Sequence, residues 1–256
     1  MILDKFSLAG KVAIVTGSDT GLGQGFSKAF VEAGAKVFGV SNMPSTATQE
    51  MLGADNFQFI EADLSSLDPI EKIINTCLEK FGRIDILVNN AGVIKREDTI
   101  DFSVASWDLV MNVNLRTLFF LSQAVAKQFM KQDVEEGKSR GKIISVASML
   151  SYQGGIRVPS YTASKSGVKG ITMTMANEWA AKGININAIA PGYMATNNTK
   201  ALRADADRSE AILDRIPAGR WGTPDDIMGA AVFLASEASN YVNGFTLAVD
   251  GGWLGR

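Results

Sequence analysis

Tyr161 and Lys165 stand four residues apart in the stretch Ser160-Tyr161-Thr162-Ala163-Ser164-Lys165. On a helix that spacing puts both side chains on one face, one turn apart, and sets an ammonium beside a phenol. A free tyrosine ionises near pH ~10, and a fixed positive charge nearby favours the phenolate; a shift of about three units corresponds to roughly 4 kcal/mol. A phenol tuned in this way exchanges protons at neutral pH. Ser148, thirteen residues upstream and just beyond the strand pattern Lys142-Ile143-Ile144-Ser145-Val146, is placed to return to the same pocket and hold a substrate oxygen against the phenol. The chain contains no histidine. That removes serine-histidine-aspartate catalysis, histidine-ligated zinc and any histidine base, and leaves proton transfer to Tyr, Lys, Asp, Glu or Cys. The bland alternative is that Tyr161 and Lys165 merely share a helix surface.

These side chains need elements to bring them together. Residues 12–16, Val-Ala-Ile-Val-Thr, form an apolar run of strand length, followed by Gly17-x-x-x-Gly21-x-Gly23 and a helical pattern from Gln24 to Ala33. Strand, glycine turn and helix is the setting of a phosphate-binding loop. Glycines let the backbone approach a pyrophosphate, and the helix start offers free N–H groups and a positive dipole end. A second strand, residues 35–40, ends at Ser41-Asn42, where dinucleotide folds often carry an acidic residue for the ribose of NAD or a basic one for NADP. This chain has neither. No Lys or Arg falls between residues 37 and 71, and Thr20 rather than a cation precedes Gly21, so NAD is expected over NADP.

The alternation continues. A third strand, residues 57–62, delivers Asp63-Leu64, where the Asp63 carboxylate is placed either to accept a hydrogen bond from adenine or to cap the next helix. A helix over 69–81 and a strand over 84–88 lead to the polar turn Asn89-Asn90-Ala91-Gly92, a structural tie, a cofactor contact or both. The pattern over 106–131 is helical, with Asn114 polar between Val113 and Leu115 and so in need of a partner. Residues 132–141 are charged and read as a solvated loop. A helix from about 161 to 179, a strand over 184–190 ending in Pro191-Gly192-Tyr193, a polar helical stretch over 196–222, a helix over 225–235 and a strand over 246–249 complete the chain. With no composition break or repeat, the prediction is an α/β fold: one doubly wound Rossmann domain over 1–256, with a seven-stranded parallel sheet and helices on both faces. Its ligands belong at the carboxyl ends of the strands.

Composition narrows the partners. The 256 residues are 46% hydrophobic and 20% charged, enough for a sizeable core, and the net charge of -2 gives no support for a nucleic-acid or anionic-membrane partner. The start, Met1-Ile2-Leu3-Asp4-Lys5-Phe6, lacks a signal-peptide run, and no stretch reaches the roughly 20 apolar residues of a membrane span. A cytoplasmic protein is expected. The single cysteine, Cys77, has no partner for a disulfide and reads as a packing residue on a helix face.

Taken in order, Thr16-Gly17-Ser18-Asp19-Thr20-Gly21-Leu22-Gly23, Asn89-Asn90-Ala91-Gly92, Asn114, Ser148, Tyr161-x-x-x-Lys165 and Pro191-Gly192 resemble the short-chain dehydrogenase/reductase family over essentially the whole chain. The resemblance implies that Tyr161 is the acid/base, Lys165 lowers its pKa and holds the nicotinamide ribose, Ser148 positions the carbonyl or hydroxyl, and Asn114 supports a proton relay through water. It implies a cofactor path along Gly17, Asp19, Thr20, Gly21, Leu22, Gly23, Ser41, Asn42, Asp63, Leu64, Asn90, Ala91 and Gly92. Pro191, Gly192, Met194 and Thr196 then hold the nicotinamide end with Tyr161 and Lys165. It also implies a homotetramer and no metal.

A narrower likeness, carried by Ile94-Lys95-Arg96-Glu97-Asp98, residues 151–160, residues 191–199, residues 216–222 and Asp250-Gly251-Gly252-Trp253, is to family members that act on 3-deoxy sugar acids in uronate breakdown. It implies a small sugar-acid substrate under a lid at about 193–222. Its hydroxyls and carboxylate would meet Ser148, Met149, Gln153, Arg157, Tyr161, Tyr193, Asn198 and Arg203. The expected reaction is reversible hydride transfer between NAD and a secondary alcohol of that acid. The rivals are an NADPH-dependent 3-oxoacyl carrier protein reductase, another sugar or polyol dehydrogenase, and a non-catalytic NAD-binding protein.

Overall fold

Seven short apolar segments lie side by side as parallel strands in the order β3-β2-β1-β4-β5-β6-β7 in the computed structural model, which describes residues 1–256. They are β1 Val12–Thr16, β2 Lys36–Ser41, β3 Phe57–Glu61, β4 Ile86–Asn89, β5 Gly141–Val146, β6 Ile184–Pro191 and β7 Thr246–Val249. Both faces of the sheet are covered, which is why its strands are near-continuous Val, Ile and Ala rather than alternating with polar residues. Along β1, Ala13 and Val15 face one layer and Val12 and Ile14 the other.

The first layer is built by α1 (Gly21–Glu32) and α9 (Pro224–Ala235), which bury Phe26, Phe30, Ile227 and Leu234 on the sheet. The second is built by α3 (Ile70–Phe81), α5 (Leu118–Phe129) and α6 (Pro159–Trp179), with Ile73, Cys77, Leu121, Phe129 and Met175 inside. Each fully buried Phe contributes up to about 3 kcal/mol of transfer free energy. Cys77 is a packing residue, its thiol pushed up to about 12 by burial and then by Asp85.

α5 continues α4 (Val104–Met111) through a π turn, Asn112–Thr117. By length and apolarity the whole helix Val104–Phe129 is long enough to cross a membrane, although no apolar run of that length is visible in its sequence. Its apolar residues Val110, Leu118, Leu121, Val125 and Phe129 are buried.

The predicted strands and the helices outside 196–222 are present, with ends moved by no more than three residues. The helix at 159 starts two residues early because Pro159 occupies its first turn, where a missing N–H costs nothing. One helix, α2 (Thr46–Leu52), was not anticipated, since only Thr48 of its seven residues is buried and no apolar stripe marks it. The polar stretch 193–222 is an excursion containing α7 (Lys200–Ala204) and α8 (Ala206–Leu213). Its two ends are pinned together by Ala195 N–H donating to Gly222 O at 2.7 Å and Gly222 N–H donating to Tyr193 O at 2.9 Å. Because β1 is flanked by β2 on one side and β4 on the other, the chain reverses direction across the sheet there, and a crevice opens between the loops that leave β1 and β4.

Candidate active site

The carboxyl ends of the strands open into a cavity of about 540 Å³. One end is shaped by the turn after β1. Gly17 (φ 66) and Gly21 (φ 58) take left-handed backbone, and a Cβ on Gly23 would stand 1.8 Å from Gly17 O. The start of α1 therefore packs on this turn at a distance no side chain permits. Thr20 precedes the helix without a side-chain cap, so the first-turn N–H groups of α1 lie along the wall with the positive end of its dipole. Gly17, Asp19, Thr20, Gly21 and Leu22 all line the cavity. A backbone cradle of this form fits a dinucleotide pyrophosphate.

The polar turn after β4 proves structural and cavity-lining at once. The Thr16 hydroxyl accepts the N–H groups of Asn90 and Ala91, each at 2.9 Å, while Asn90 Nδ2 donates to Thr16 O at 2.8 Å and Gly17 O at 3.2 Å. These bonds hold the two lips of the crevice, and Asn90, Ala91 and Gly92 lie on its wall. At the far end, both Asp63 carboxylate oxygens are taken up by its own loop, accepting from Ser65 N–H and Ser65 Oγ at 2.9 Å each. Asp63, Leu64, Ser41 and Asn42 form that part of the wall.

Tyr161, Ser148 and Lys165 meet at the opposite end. Lys165 is 3% exposed; its Nζ donates to Val146 O at 2.6 Å and lies 5.7 Å from the centre of the Tyr161 ring. Burial pushes its ammonium down to about 8. Burial also raises the Tyr161 phenol above its usual value, with the Ser148 hydroxyl and the Arg96 charge pulling it back. Lys165, expected to lower the Tyr161 phenol, is itself desolvated and bonded to a backbone carbonyl, with its Nζ over the Tyr161 ring. Ser151 Oγ donates to Lys165 O at 2.6 Å and accepts from Ser148 N–H at 3.3 Å, so one hydroxyl ties the Ser148 loop to α6.

Asn114, fully buried in the π turn, finds its partner in the loop after β4. Its Oδ1 accepts from Val93 N–H at 2.8 Å, and its Nδ2 donates to Val93 O at 2.9 Å and Ser164 Oγ at 3.2 Å. Pro191, Gly192, Met194 and Thr196 line the cavity beside Tyr161. Gly192 cannot carry a side chain, since a Cβ would lie 2.5 Å from Asp250 Cα.

The substrate candidates divide. Ser148, Tyr161 and Asn198 are on the wall. Met149 is buried with Ile212, Ile216 and Trp253, and Tyr193 packs edge-on against Trp221 (5.5 Å) and Trp253 (4.8 Å). Gln153 Oε1 accepts from Trp253 Nε1 at 3.0 Å. Arg157, the one non-glycine residue with positive φ, pairs with Asp98 at 2.8 Å, and Arg203 donates to Thr196 O at 3.2 Å. These five brace the excursion and its surroundings and do not line the cavity. The residue that sequence reasoning passed over is Arg96. Its charge reaches Tyr161, it has no carboxylate partner, and its guanidinium donates at 3.4 Å to the backbone of Asn198. It sits in the charged run Lys95-Arg96-Glu97-Asp98, which carries part of the narrower likeness as a segment, but nothing in the sequence singles out Arg96 within it.

The family model described as enoyl-(acyl carrier protein) reductase matches residues 17–254. The chain belongs to the short-chain dehydrogenase/reductase family. A 2-dehydro-3-deoxy-D-gluconate 5-dehydrogenase of Escherichia coli K12 is 60% identical over 258 residues, covering all of both chains. Among solved short-chain dehydrogenase/reductase structures, one named for a 2-deoxy-D-gluconate 3-dehydrogenase of Agrobacterium tumefaciens, with bound NADP, superposes with a TM-score of 0.88 at 52% identity, covering 99% of this chain and 100% of that one. A gluconate 5-dehydrogenase of Burkholderia cenocepacia, in complex with NADP and tartrate, gives 0.91 at 36% identity over the whole of both chains. The protein is thus an oxidoreductase of this family acting on a CH–OH group, with the Rossmann architecture its sequence announces.

Proposed function

We propose that the protein reversibly oxidises a secondary alcohol of a 3-deoxy sugar acid, in the manner of a 2-dehydro-3-deoxy-D-gluconate 5-dehydrogenase of uronate breakdown, with NAD as cofactor. The observation that carries the reading is one wall on which Tyr161, Ser148 and Lys165 meet, with the charge of Arg96, exposed and without a carboxylate partner on the loop after β4, favouring the phenolate. The relatives named for sugar-acid dehydrogenation supply the substrate class.

A bound nicotinamide supplies the hydride acceptor, or the donor in reverse. Every other part falls to the chain. Ser148 Oγ donates to the substrate oxygen and fixes it against Tyr161. In the reductive direction the Tyr161 phenol, held protonated by burial, gives its proton to the oxygen as the carbonyl becomes a hydroxyl. In the oxidative direction the phenolate takes the hydroxyl proton, so oxidation speeds up with rising pH while reduction stays level through neutrality. Lys165, with donors to spare, holds the ribose hydroxyls, and Asn114 keeps the loop after β4 in place beneath them. Arg96 pairs with the substrate carboxylate, and the excursion 193–222 is the lid over the acid.

NAD rather than NADP is supported by the cavity wall where Asp19 and Asp63 stand and no Lys or Arg does, although the Agrobacterium and Burkholderia relatives both carry NADP. The same reading makes the protein a cytoplasmic homotetramer, with exposed Trp107 and Phe120 on the helix Val104–Phe129 available as contacts; light scattering measures the state. The primary test is NADH consumption with 2,5-diketo-3-deoxygluconate, 3-oxoacyl thioesters and simple ketones, repeated with NADPH. Fast turnover of the diketo acid with NADH is expected. Turnover confined to thioesters, or to NADPH, refutes the substrate or cofactor assignment.

A further inference from the structure

The end of β2 lacks the acidic residue that commonly holds the adenosine ribose of NAD. We infer that the missing carboxylate is supplied from the neighbouring loop: Asp19, clamped by Ser41, accepts the ribose hydroxyls and excludes a 2'-phosphate. This rests on the nicotinamide-cofactor reading above and deepens it.

The placement follows from strand pairing. β1 and β2 run in register from Val12 opposite Lys36 to Thr16 opposite Val40, and Gly17 N–H donates to Val40 O at 2.7 Å, so the loop after β1 lies against the last residue of β2. That residue, Ser41, is buried, and its Oγ donates to Asp19 Oδ1 at 2.6 Å. The carboxylate thereby reaches the end of β2 from the side. Its other oxygen has only a 3.4 Å contact with the Thr20 hydroxyl, which leaves acceptor capacity for a vicinal diol.

The loop is held as a fixed mount. The hydroxyls of Ser18 and Ser45 meet at 3.0 Å, and Thr48 Oγ1 donates to Ser18 O at 2.8 Å while receiving Gln24 Nε2 at 3.1 Å. Ser18, Ser45 and Thr48 are all buried. Gly39 of β2 leaves the room for this, since a Cβ there would stand 2.4 Å from Ser18 Oγ. The otherwise unheralded helix α2 thus braces the carboxylate. Asp19 has no ion-pair partner, and no cation lines this end of the cavity to receive a phosphate. Two negative groups a few ångströms apart in a partly enclosed site repel.

The test is titration of the purified full-length protein with NADH and with NADPH, followed by the fluorescence of the reduced nicotinamide, for the native chain, Asp19→Asn and Ser41→Ala. The native chain is expected to bind NADH at least tenfold more tightly than NADPH. Asp19→Asn should weaken NADH about tenfold and bring the two dissociation constants within a factor of three. Ser41→Ala, which keeps the carboxylate but unclamps it, should narrow the ratio about threefold. Native preference for NADPH, or an unchanged ratio in Asp19→Asn with both cofactors still bound, overturns the assignment of Asp19 and leaves the nicotinamide reading intact. A native chain that binds neither overturns both.

Discussion

Lys142 and Lys165 occupy opposite edges of the sheet, the first near the start of β5 and the second on α6 beside the carboxyl ends of the strands. Both are almost out of water, at 4% and 3% exposure, and burial pushes both ammonium groups down to about 8. Their partners differ. Lys142 Nζ donates to Asn240 Oδ1 at 2.7 Å, Asn185 Oδ1 at 3.0 Å and Ser239 Oγ at 3.4 Å, using all three of its protons. Lys165 has one protein acceptor, Val146 O, and stands on the cavity wall. The same desolvation cost therefore ends in a closed network at one edge and in unspent donors at the other. A perturbed pKa by itself does not mark a functional group; here the number of filled donors does. A second depression, of about 570 Å³ near the amino edge, makes the same point. It is lined by Glu135, Glu136, Lys138, Arg140 and Lys182, charges of both signs with no hydroxyl or thiol among them.

The contrast is broken or sharpened by measurement. The largest effect is expected from Tyr161→Phe, which should lower kcat by at least ~10³-fold while leaving the NADH dissociation constant within about twofold; an active Phe variant would remove the phenol from the chemistry. Lys165→Met should cut kcat/KM about 100-fold and weaken NADH binding, whereas Lys142→Met should keep kcat within about threefold. Equal losses in the two lysine variants would erase the distinction between the edges.

Stability against pH reads the same pair from the other side. Each lysine has a folded pKa near 8 against a usual 10.5. Between those values the unfolded chain carries a proton that the folded chain lacks, so stability rises with pH. Urea unfolding at pH 8 and 9.5 should show a gain of about 2 kcal/mol per lysine, with Lys142→Met losing roughly half of the native rise; a flat native profile would contradict the burial of both charges. The smallest effect is at Arg96. Arg96→Ala should raise KM for the sugar acid about tenfold and leave a neutral ketone unaffected, as expected of a charge-assisted contact. A tenfold rise for both substrates would make Arg96 a brace for the loop rather than a carboxylate partner.

The strands were legible because the buried parallel sheet writes itself as apolar runs closed by Gly, Asn or Asp, and β1 and β7 were delimited to the residue. The pairing of Tyr161 with Lys165 was legible because it lies within one helix turn. What escaped depends on contacts across the chain. Arg96 looks like any charge in a charged run until the fold lets its charge act on Tyr161, 65 positions later. Asp19 reads as one turn residue among several until strand pairing brings Ser41 beside it. Lys142 looks like a mere interruption of a strand until Asn185 and Asn240 close around it. Arginines 157 and 203 suit a carboxylate by type, and what the sequence could not show is that the fold engages them with Asp98 and a backbone carbonyl.

The π turn at Asn112–Thr117 makes the helix Val104–Phe129 a part whose length matters more than its spelling. A π turn holds one residue more than the α-helical repeat. Removing one residue there would let regular winding resume with the segments carrying Trp107 and Leu121 still in phase, so the change would fall on the side chains of the turn itself. Asn114 is one of them, and it would lose its aim at the Val93 backbone. Among laboratory or natural variants, this segment should therefore accept many exchanges of one side chain for another and almost no change in the count of residues.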